Sequence, residues 1–338
     1  MNENVMRDFE SIRSVIEKGQ CFLITTHVNP DGDGIGSEIA LYQYLKSIGK
    51  EPHIINCSSM PDNFRFLVSN HEVEEFDEEK STALFPEFDT AFVLDIGNYD
   101  RLKEVGQLIT FHNIPTVCID HHPKEEDKFT HYYLDTTASA TGELIYDLLT
   151  GLKAEITFSM AESIYSAIMA DTGSFRFSNT SEKAHTIAAK LIGLGVNPER
   201  VWSFVNGDVP PERIALLSEA MSRIEYAADG KFAWCVINRN MLKRAGAQSK
   251  DIEGFADFLR NIKGVKASVV VLEISDEVTK LSFRSKEKFD SNEFARRLGG
   301  GGHKYASGAR VTEGYKKLIP KMLAEAEQLM SDTYKNNS

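Results

Sequence analysis

Short runs of apolar residues alternate with helical patterns along the first half of the chain. Five of these runs are predicted to be strands, at residues 21–27, 52–56, 90–96, 115–120 and 132–135. Between the first two, apolar residues from Ile35 to Ile48 recur at the spacing of one helix face. Strands that alternate with helices are typical of a parallel sheet with helices packed on its faces. The pattern therefore predicts an α/β fold built on a doubly wound, mostly parallel five-stranded sheet.

The second half of the chain has a different order of elements. Helices are predicted at residues 140–150, 158–170, 182–194 and 197–205, and a connecting helix follows the prolines at 210 and 211. Strand-like runs return at residues 232–238, 267–274 and 280–285, and a closing helix is predicted over 315–330. With 338 residues the chain is long enough for two domains of roughly 100 to 200 residues. We therefore predict a first domain over 1–206, a helical linker over 207–226 and a smaller α/β domain over 227–338.

The overall charge limits the partners of the protein. Lys and Arg number 38 and Asp and Glu number 50, which gives a net charge of -12. A surface of this sign repels long polyanions, so long duplex nucleic acid is not an expected partner. No stretch approaches the roughly 18 consecutive apolar residues of a membrane helix, and the charged first residues lack a secretory apolar core. We therefore expect a cytoplasmic protein without a membrane partner.

Residue types that bind metal ions follow three of the predicted strands. The first strand leads into His27 and the segment NPDGDGIGS (29–37), the third reaches Asp95, and the fourth reaches the Asp-His-His segment 120–122. Because the carboxyl ends of parallel strands lie along one edge of a sheet, these side chains are predicted to meet there. The sequence therefore indicates a metal site formed by His27, Asp31, Asp33, Asp95, His121 and Asp171.

Each of these residues also has an ordinary structural interpretation. Asp31 and Asp33 are compatible with an Asp-Gly turn, and Asp95 and Asp171 with helix caps. An EF-hand calcium loop is excluded, because Ile35 and Tyr42 occupy positions where ligands are required. No P-loop motif occurs, and GDGIGS lacks the spacing of a dinucleotide-binding motif. The joint occurrence of the candidates at the ends of the elements favours the metal site.

The charges of this set favour two ions rather than one. Four carboxylates in a partly dry cleft raise one another's pKa values unless strong positive charge compensates them. Imidazole and carboxylate ligands without thiolate suit Mn²⁺, with Mg²⁺ or Co²⁺ as substitutes, better than structural zinc. Paired divalent ions are a common device for cleaving phosphate esters. Phosphoester hydrolysis is therefore the expected chemistry.

The second predicted domain contains a basic, glycine-rich segment. From Arg284 to Arg310 there are seven Lys or Arg residues and three acidic ones, a local charge of +4. Within this segment, GGGGHKYASG (299–308) has backbone N–H groups that an anion can approach closely, beside His303. A flexible turn with solvated basic side chains is the alternative interpretation. Together with the metal site, the segment predicts an anion-binding surface.

The motifs resemble those of the DHH phosphoesterase family, which is named after the Asp-His-His segment. HVNPDGDGIGS (27–37), VLDIG (93–97), CIDHHP (118–123) and ADTGSF (170–175) are similar to four motifs of the family, in the family's order. GGGGHKYASG resembles the signature of the DHH-associated C-terminal domain. The resemblance therefore covers nearly the whole chain and identifies the first domain as the catalytic one.

The resemblance implies a role for each candidate residue. One Mn²⁺ would be held by His27, Asp31 and Asp95, and a second by Asp33, Asp95, His121 and Asp171, with Asp95 bridging. Asp120 would orient a histidine, and His122 would face the substrate phosphate. Substrate contacts in the second domain would come from Arg284, Ser285, Gly300, Gly301, Gly302 and His303. The active site would then be a cleft between the domains.

The resemblance also implies a substrate class. Size and domain composition are similar to those of stand-alone oligoribonucleases that degrade short single-stranded RNA or dinucleotides and dephosphorylate 3'-phosphoadenosine 5'-phosphate (pAp). A second hypothesis keeps the site and changes the substrate to cyclic di-AMP or pApA. A third is a nucleotide-binding sensor without catalysis. Homodimers occur among relatives, although the sequence contains no interface signature.

Overall fold

The computed structural model describes residues 5–68, 72–124, 127–207 and 209–334. The chain divides into two compact units, Met1–Asp208 and Val209–Ser338. Within the described ranges, every helix is too short or too polar to cross a bilayer.

The first unit is built on a seven-stranded sheet. Its strands are β1 (Val5–Arg7), β2 (Cys21–Thr25), β3 (Glu51–Asn56), β4 (Val73–Glu75), β5 (Thr90–Leu94), β6 (Thr116–Asp120) and β7 (His131–Asp135). Their order across the sheet is β1-β7-β6-β5-β2-β3-β4. Every neighbouring pair is parallel except β1 with β7, which is antiparallel. The α/β class and the mostly parallel sheet are thus confirmed, but the predicted five strands are two too few.

Helices cover both faces of this sheet. They are α1 (Phe9–Lys18), α2 (Gly32–Ser47), α3 (Glu78–Leu84), α4 (Lys103–Phe111), α5 (Thr141–Gly151), α6 (Phe158–Asp171), α7 (Glu182–Gly193) and α8 (Pro198–Asn206). Successive residues of a strand point to opposite faces, so Phe22 and Ile24 join one apolar core and Leu23 joins another. Two buried faces require continuous apolar strands, which explains the uninterrupted runs in the sequence.

The glycines of the segment GDGIG bring two helices close together. Asp31 caps α2, because its carboxylate accepts hydrogen bonds from the N–H groups of Asp33 (3.0 Å) and Gly34 (3.2 Å). A Cβ atom at Gly36 would lie 2.4 Å from the carbonyl oxygen of Ser163 on α6. The absence of a side chain therefore permits the contact between α2 and α6 that positions Asp33 and Asp171 in the first unit.

The second unit contains a six-stranded sheet in the order β12-β13-β11-β10-β9-β8. Its strands are β8 (Glu225–Ala227), β9 (Phe232–Ile237), β10 (Ala267–Ser275), β11 (Val278–Ser285), β12 (Gly301–His303) and β13 (Ala306–Val311). Its helices are α9 (Pro211–Met221), α10 (Arg239–Ala245), α11 (Phe255–Arg260), α12 (Ser291–Arg297) and α13 (Tyr315–Tyr334). Leu216 and Ala220 of α9 are buried in this unit's core. The helix predicted as a linker is therefore part of the second unit.

The four consecutive glycines of the second unit have different surroundings. A Cβ atom at Gly300 would lie 2.1 Å from the carbonyl oxygen of Gly308, whereas the nearest atom to one at Gly301 is 3.8 Å away, on Asn292. Gly302 adopts a φ of 142° and lies against Ser307, where a Cβ atom would also clash. Gly300 and Gly302 are thus required by the pairing of β12 with β13, and Gly301 faces open space.

We expect Gly300→Ala to destabilise the second unit by about 1–3 kcal/mol, because backbone atoms must move to admit the methyl group. Gly301→Ala is the matched control and should change stability by less than about 0.5 kcal/mol. Urea unfolding followed by tryptophan fluorescence measures the effect, since Trp234 is buried in this unit. Equal unfolding midpoints for the two variants would contradict the assignment.

Candidate metal centre

The site lies where the chain direction across the sheet reverses. From β2 the chain proceeds outward through β3 and β4, then returns to β5 on the other side of β2. The loops after β2 and β5 diverge at this point, which is where doubly wound sheets place their ligands. His27 follows β2, Asp95 follows β5, and Asp120 ends the next strand. The topology therefore brings together the residues that the sequence placed at the strand ends.

One group of side chains consists of His27, Asp31 and Asp95. The Nε2 atom of His27 lies 3.7 Å from Asp31 Oδ2 and 3.8 Å from Asp95 Oδ2. The Nδ1 atom of His27 lies 2.9 Å from the carbonyl oxygen of Val28, to which its N–H donates. This hydrogen bond leaves Nε2 available for a cation, a common arrangement for histidine ligands.

A second group consists of Asp33, His121 and Asp171. The Nε2 atom of His121 lies 3.8 Å from Asp33 Oδ2 and 3.7 Å from Asp171 Oδ2. It also lies 3.7 Å from Oδ1 of Asp95, whose other oxygen faces His27. Asp95 is thus positioned between the two groups.

These distances fit divalent cations. Two ligand atoms that each lie ~2.1 Å from one cation are separated by no more than ~4.2 Å. The separations of 3.7 to 3.8 Å within each group satisfy this limit. The donors are imidazole nitrogens and carboxylate oxygens, without a thiolate among the six residues. Both groups could therefore hold a cation of the kind that prefers oxygen and nitrogen ligands.

The electrostatics of the carboxylates point in the same direction. Burial, reinforced by the charge of Asp31, raises the pKa of Asp95 to about 6. Burial and the charges of Asp95 and Asp171 raise the pKa of Asp33 well above its usual value. Burial also raises the pKa of Asp171. The protein thus keeps several acids in a place where their ionised forms are disfavoured, and bound cations would remove that penalty.

Comparison with known proteins settles the family. The profile of the DHH family, N-terminal domain, matches residues 21–168, and that of the DHHA1 domain matches residues 229–332. The bifunctional oligoribonuclease and PAP phosphatase NrnA of Thermus thermophilus is 32% identical over 292 residues, which cover 85% of this chain and 83% of that protein. The chain belongs to the DHH family. It is therefore a metal-dependent phosphoesterase.

Further relatives extend over both units of this DHH protein. The Bacillus subtilis protein of the same name is 28% identical over 292 residues, covering 86% of this chain and 88% of its own. A crystal structure of an exopolyphosphatase-related protein from Bacteroides fragilis has a TM-score of 0.90 and 25% identity. That likeness covers 96% of this chain and 97% of the other.

Asp120, the first residue of the DHH segment, holds His122 in place. Its Oδ1 atom lies 2.7 Å from Nδ1 of His122, whose ring N–H donates to it, and 3.0 Å from the backbone N–H of the same residue. Its Oδ2 atom accepts a hydrogen bond of 2.8 Å from the N–H of Gly97. The Nδ1 atom of His122 also lies 3.4 Å from Asp95. Because this nitrogen carries the N–H that donates to Asp120, it is a poor metal ligand.

Several residues of the DHH site carried no signal in the sequence. The N–H groups of Thr141 and Gly142, at the start of α5, donate to the carboxylate of Asp33 over 2.6 and 2.9 Å. The side-chain amide of Asn179 donates to Asp171 Oδ2 over 3.1 Å. Contacts made through backbone N–H groups do not depend on residue type, so composition and motif spacing could not predict them.

A buried acid outside the ligand set lies behind the DHH centre. Glu38 on α2 is fully buried, and Asn56 at the end of β3 donates to its Oε2 atom over 2.9 Å. The carbonyl oxygen of the Asn56 side chain in turn accepts from the N–H of Thr26, the residue before His27. Burial raises the pKa of Glu38 to about 8, Asn56 opposes the shift and the charge of Asp95 adds to it. The neutral form of Glu38 is therefore favoured in the folded protein at pH 7.

We expect Glu38→Gln to stabilise the metal-free protein at alkaline pH. A raised pKa in the folded state contributes stability that is lost as pH rises from about 4.5 to about 8, at ~1.4 kcal/mol per unit. The neutral amide avoids this loss, so the advantage of the variant should grow from less than about 1 kcal/mol at pH 5 to about 4–5 kcal/mol at pH 9. Thermal unfolding in EDTA across this pH range measures it, with exposed Glu17→Gln as the control. A difference that does not change with pH would contradict the prediction.

In the second unit, the residues predicted to contact substrate differ in whether their polar groups already have partners within the protein. The Ser285 side chain is buried, and its hydroxyl lies within hydrogen-bond distance of the carbonyl oxygens of Phe289 (2.9 Å) and Lys304 (3.2 Å), which indicates a structural role. Arg284 Nε donates to Asp257 Oδ2 over 3.2 Å, so part of its charge is neutralised. The side chain of His303 lies outside the described residues. Among the three glycines predicted to contact substrate, Gly301 is the one at which an added Cβ atom would meet no atom closer than 3.8 Å, so an anion could approach its backbone.

Proposed function

We propose that this enzyme degrades short oligoribonucleotides to 5'-mononucleotides and removes the 3'-phosphate of pAp. The observation that carries the proposal is the likeness to the Thermus thermophilus oligoribonuclease and PAP phosphatase, which extends through both units. The Bacillus subtilis relative with the same two activities in its name supports it. All six candidate ligands of the DHH motifs are present and lie together in two groups, which supports catalysis over a purely binding role.

The proposed cofactor is a pair of Mn²⁺ ions. His27, Asp31 and Asp95 would hold one, and Asp33, Asp95, His121 and Asp171 the other, as the two groups of side chains suggest. When bound, such ions lower the pKa of a water molecule and neutralise charge on phosphoryl oxygens. Nitrogen and oxygen donors without thiolate support manganese, magnesium or cobalt over structural zinc.

His122 and Asp120, which are not among the six candidate ligands, would stabilise the phosphate of the substrate. Burial lowers the pKa of the His122 imidazole, but the hydrogen bond and charge of Asp120 outweigh burial and raise it to about 9. With a pKa raised in this way, the protonated imidazole of His122 can stabilise charge on a phosphoryl oxygen. Its ring is fixed by Asp120, so no reorganisation is needed as that charge develops. Attack of a water oxygen on phosphorus would form the new P–O bond and break the bond to the 3'-oxygen, which would leave with the remaining nucleotide and take up a proton.

Preference for short substrates follows from charge. The net charge of -12 disfavours long polyanions, and the local excess of +4 between residues 284 and 310 offers one limited patch for phosphates. In that patch the side chain of Arg297 is also paired with Glu325, which lies outside the segment and reduces the free positive charge further. Such a surface suits a few nucleotides rather than a polymer.

A substrate panel tests the proposal. Purified protein with added Mn²⁺ is incubated with pAp, a five-nucleotide RNA, pApA and cyclic di-AMP, and products are separated by chromatography. We expect AMP from pAp and 5'-mononucleotides from the RNA, and no turnover in EDTA. Turnover confined to cyclic di-AMP and pApA would replace the proposed substrates. Tight pAp binding without release of phosphate would assign a sensor instead.

A further inference from the structure

Arg101 lies between the two loops that carry the first group of ligands. It belongs to a short 3₁₀ helix, Tyr99–Leu102, that follows Asp95 at the end of β5. Its backbone carbonyl accepts a hydrogen bond of 2.9 Å from the N–H of Val28, the residue after His27. Its side chain donates from an Nη1 atom to the carbonyl oxygen of Ile96 over 3.4 Å, next to Asp95. The backbone of Arg101 thus contacts the residue after His27, and its side chain contacts the residue after Asp95.

The guanidinium of Arg101 has unused hydrogen-bonding capacity. Arginine has five N–H donors, and within the described part of the chain this guanidinium makes one hydrogen bond, a long one of 3.4 Å to the carbonyl oxygen of Ile96. Among the residues that the structure describes, no carboxylate lies within 4.0 Å of this guanidinium, although the site contains four aspartates. Its hydrogen bond to Ile96 nevertheless places it next to Asp95 in the chain. A partly buried cation therefore stands beside the acids without an ion pair to any of them.

An anionic ligand accounts for this arrangement better than a structural role does. A structural arginine in such a site would pair with one of the carboxylates, which is the stronger interaction. The candidate ligand carboxylates face histidine nitrogens and each other, so a cation bound there would use their oxygens. The guanidinium of Arg101 is then available to an anion that also contacts the bound cations. The planar arrangement of the guanidinium N–H groups suits the oxygens of a phosphate.

We propose that Arg101 binds the phosphoryl oxygens of the substrate from the side of His27. The inference rests on the proposed function in that the substrate is a phosphate ester. With His122 held by Asp120 in the segment after β6, side chains from two different loops of the same unit would contact one phosphoryl group. Sequence patterns alone did not single out Arg101, because one arginine in a polar turn is common.

Binding of inorganic phosphate tests this role without catalysis. Calorimetry on the manganese-loaded protein compares the wild type with Arg101→Gln and Arg101→Lys. We expect Arg101→Gln to weaken phosphate binding by about 10- to 100-fold, and Arg101→Lys to retain part of it. Arg65→Gln is the matched control, since Arg65 lies in a 3₁₀ helix of the same unit, is exposed and pairs with Asp62. It should bind phosphate as the wild type does.

Two further measurements separate phosphate binding from a structural role. Affinity for Mn²⁺ should be equal or higher in Arg101→Gln, because removal of a nearby positive charge favours a cation. The KM for pAp should rise in the same variant. Unchanged phosphate affinity in both variants, no phosphate binding by the wild type, or a joint loss of Mn²⁺ affinity and thermal stability would each overturn the inference. If the wild type hydrolyses neither pAp nor RNA while Arg101→Gln loses phosphate binding, the proposed function fails and the role of Arg101 stands.

Discussion

Asp95→Asn is expected to abolish turnover of every substrate and at the same time to stabilise the metal-free protein. The carboxylate of Asp95 faces His27 with one oxygen and His121 with the other, so both candidate cation sites lose a ligand charge. We expect kcat/KM to fall by at least about 10³-fold. Asn is the suitable replacement because Asp95 has a φ of 51°, a conformation that Asn tolerates better than most residues.

The opposite effect on stability follows from the pKa of Asp95. Burial and the charge of Asp31 raise it from 3.8 to about 6, so the folded wild type loses stability as pH rises between these values. The loss is complete above about pH 6 and amounts to about 1–3 kcal/mol at ~1.4 kcal/mol per unit. The neutral amide of Asn at position 95 does not lose this stability, because it does not ionise. The variant should therefore unfold at a higher temperature than the wild type at pH 8 in EDTA, and at a similar temperature at pH 4.

Enzyme assays with Mn²⁺ and thermal unfolding in EDTA measure the two effects on the same preparation. Asp100→Asn serves as the control, because Asp100 lies in the following 3₁₀ helix and its side chain is 81% exposed. A variant that retains activity would defeat the assignment of Asp95 as a shared ligand. A variant that loses both activity and stability would indicate misfolding rather than loss of a ligand.

The sheet could be predicted where its strands are buried on both faces. Strands β2, β5 and β6 each contain an uninterrupted run of three or four apolar residues, and such runs stand out in a sequence. Strands β1 and β4 have three residues each, which is too short for any periodicity to appear. They pair at the two edges of the sheet, so their formation depends on a completed neighbour. Tertiary pairing rather than local pattern therefore determines the outer strands.

The candidate ligands were predictable for a topological reason. Parallel strands deliver the residues after their carboxyl ends to one edge, so His27, Asp95 and His121 meet although they are far apart in the chain. Asp33 lies in the first turn of the helix that follows β2, and Asp171 lies at the end of a helix, α6, that does not follow a strand directly. The partners of Arg284 and Ser285 could not be predicted, because a sequence does not show that Asp257 pairs with Arg284 or that the Ser285 hydroxyl faces carbonyl oxygens. Contacts of that kind arise from packing.

Asp120→Asn is expected to lower turnover through His122 rather than through the metal ions. The Asp120 carboxylate receives the ring N–H of His122 over 2.7 Å, and this contact outweighs burial and raises the pKa of His122 to about 9. An amide oxygen accepts the hydrogen bond without the negative charge, so the pKa of His122 should fall. A neutral imidazole no longer stabilises phosphoryl charge. We expect kcat to decrease by about 10- to 100-fold at pH 8.

The pH profile of kcat distinguishes this mechanism from simple damage to the fold. The protonated imidazole is the useful form, and it is lost as pH rises through its pKa, so the alkaline limb should begin at lower pH in Asp120→Asn than in the wild type. His122→Gln should remove that limb, and the double variant should be no slower than His122→Gln alone, because both changes act through one group. An alkaline limb that stays in place in Asp120→Asn, with Mn²⁺ affinity reduced instead, would reassign Asp120 to the support of the metal ligands through its hydrogen bond to Gly97.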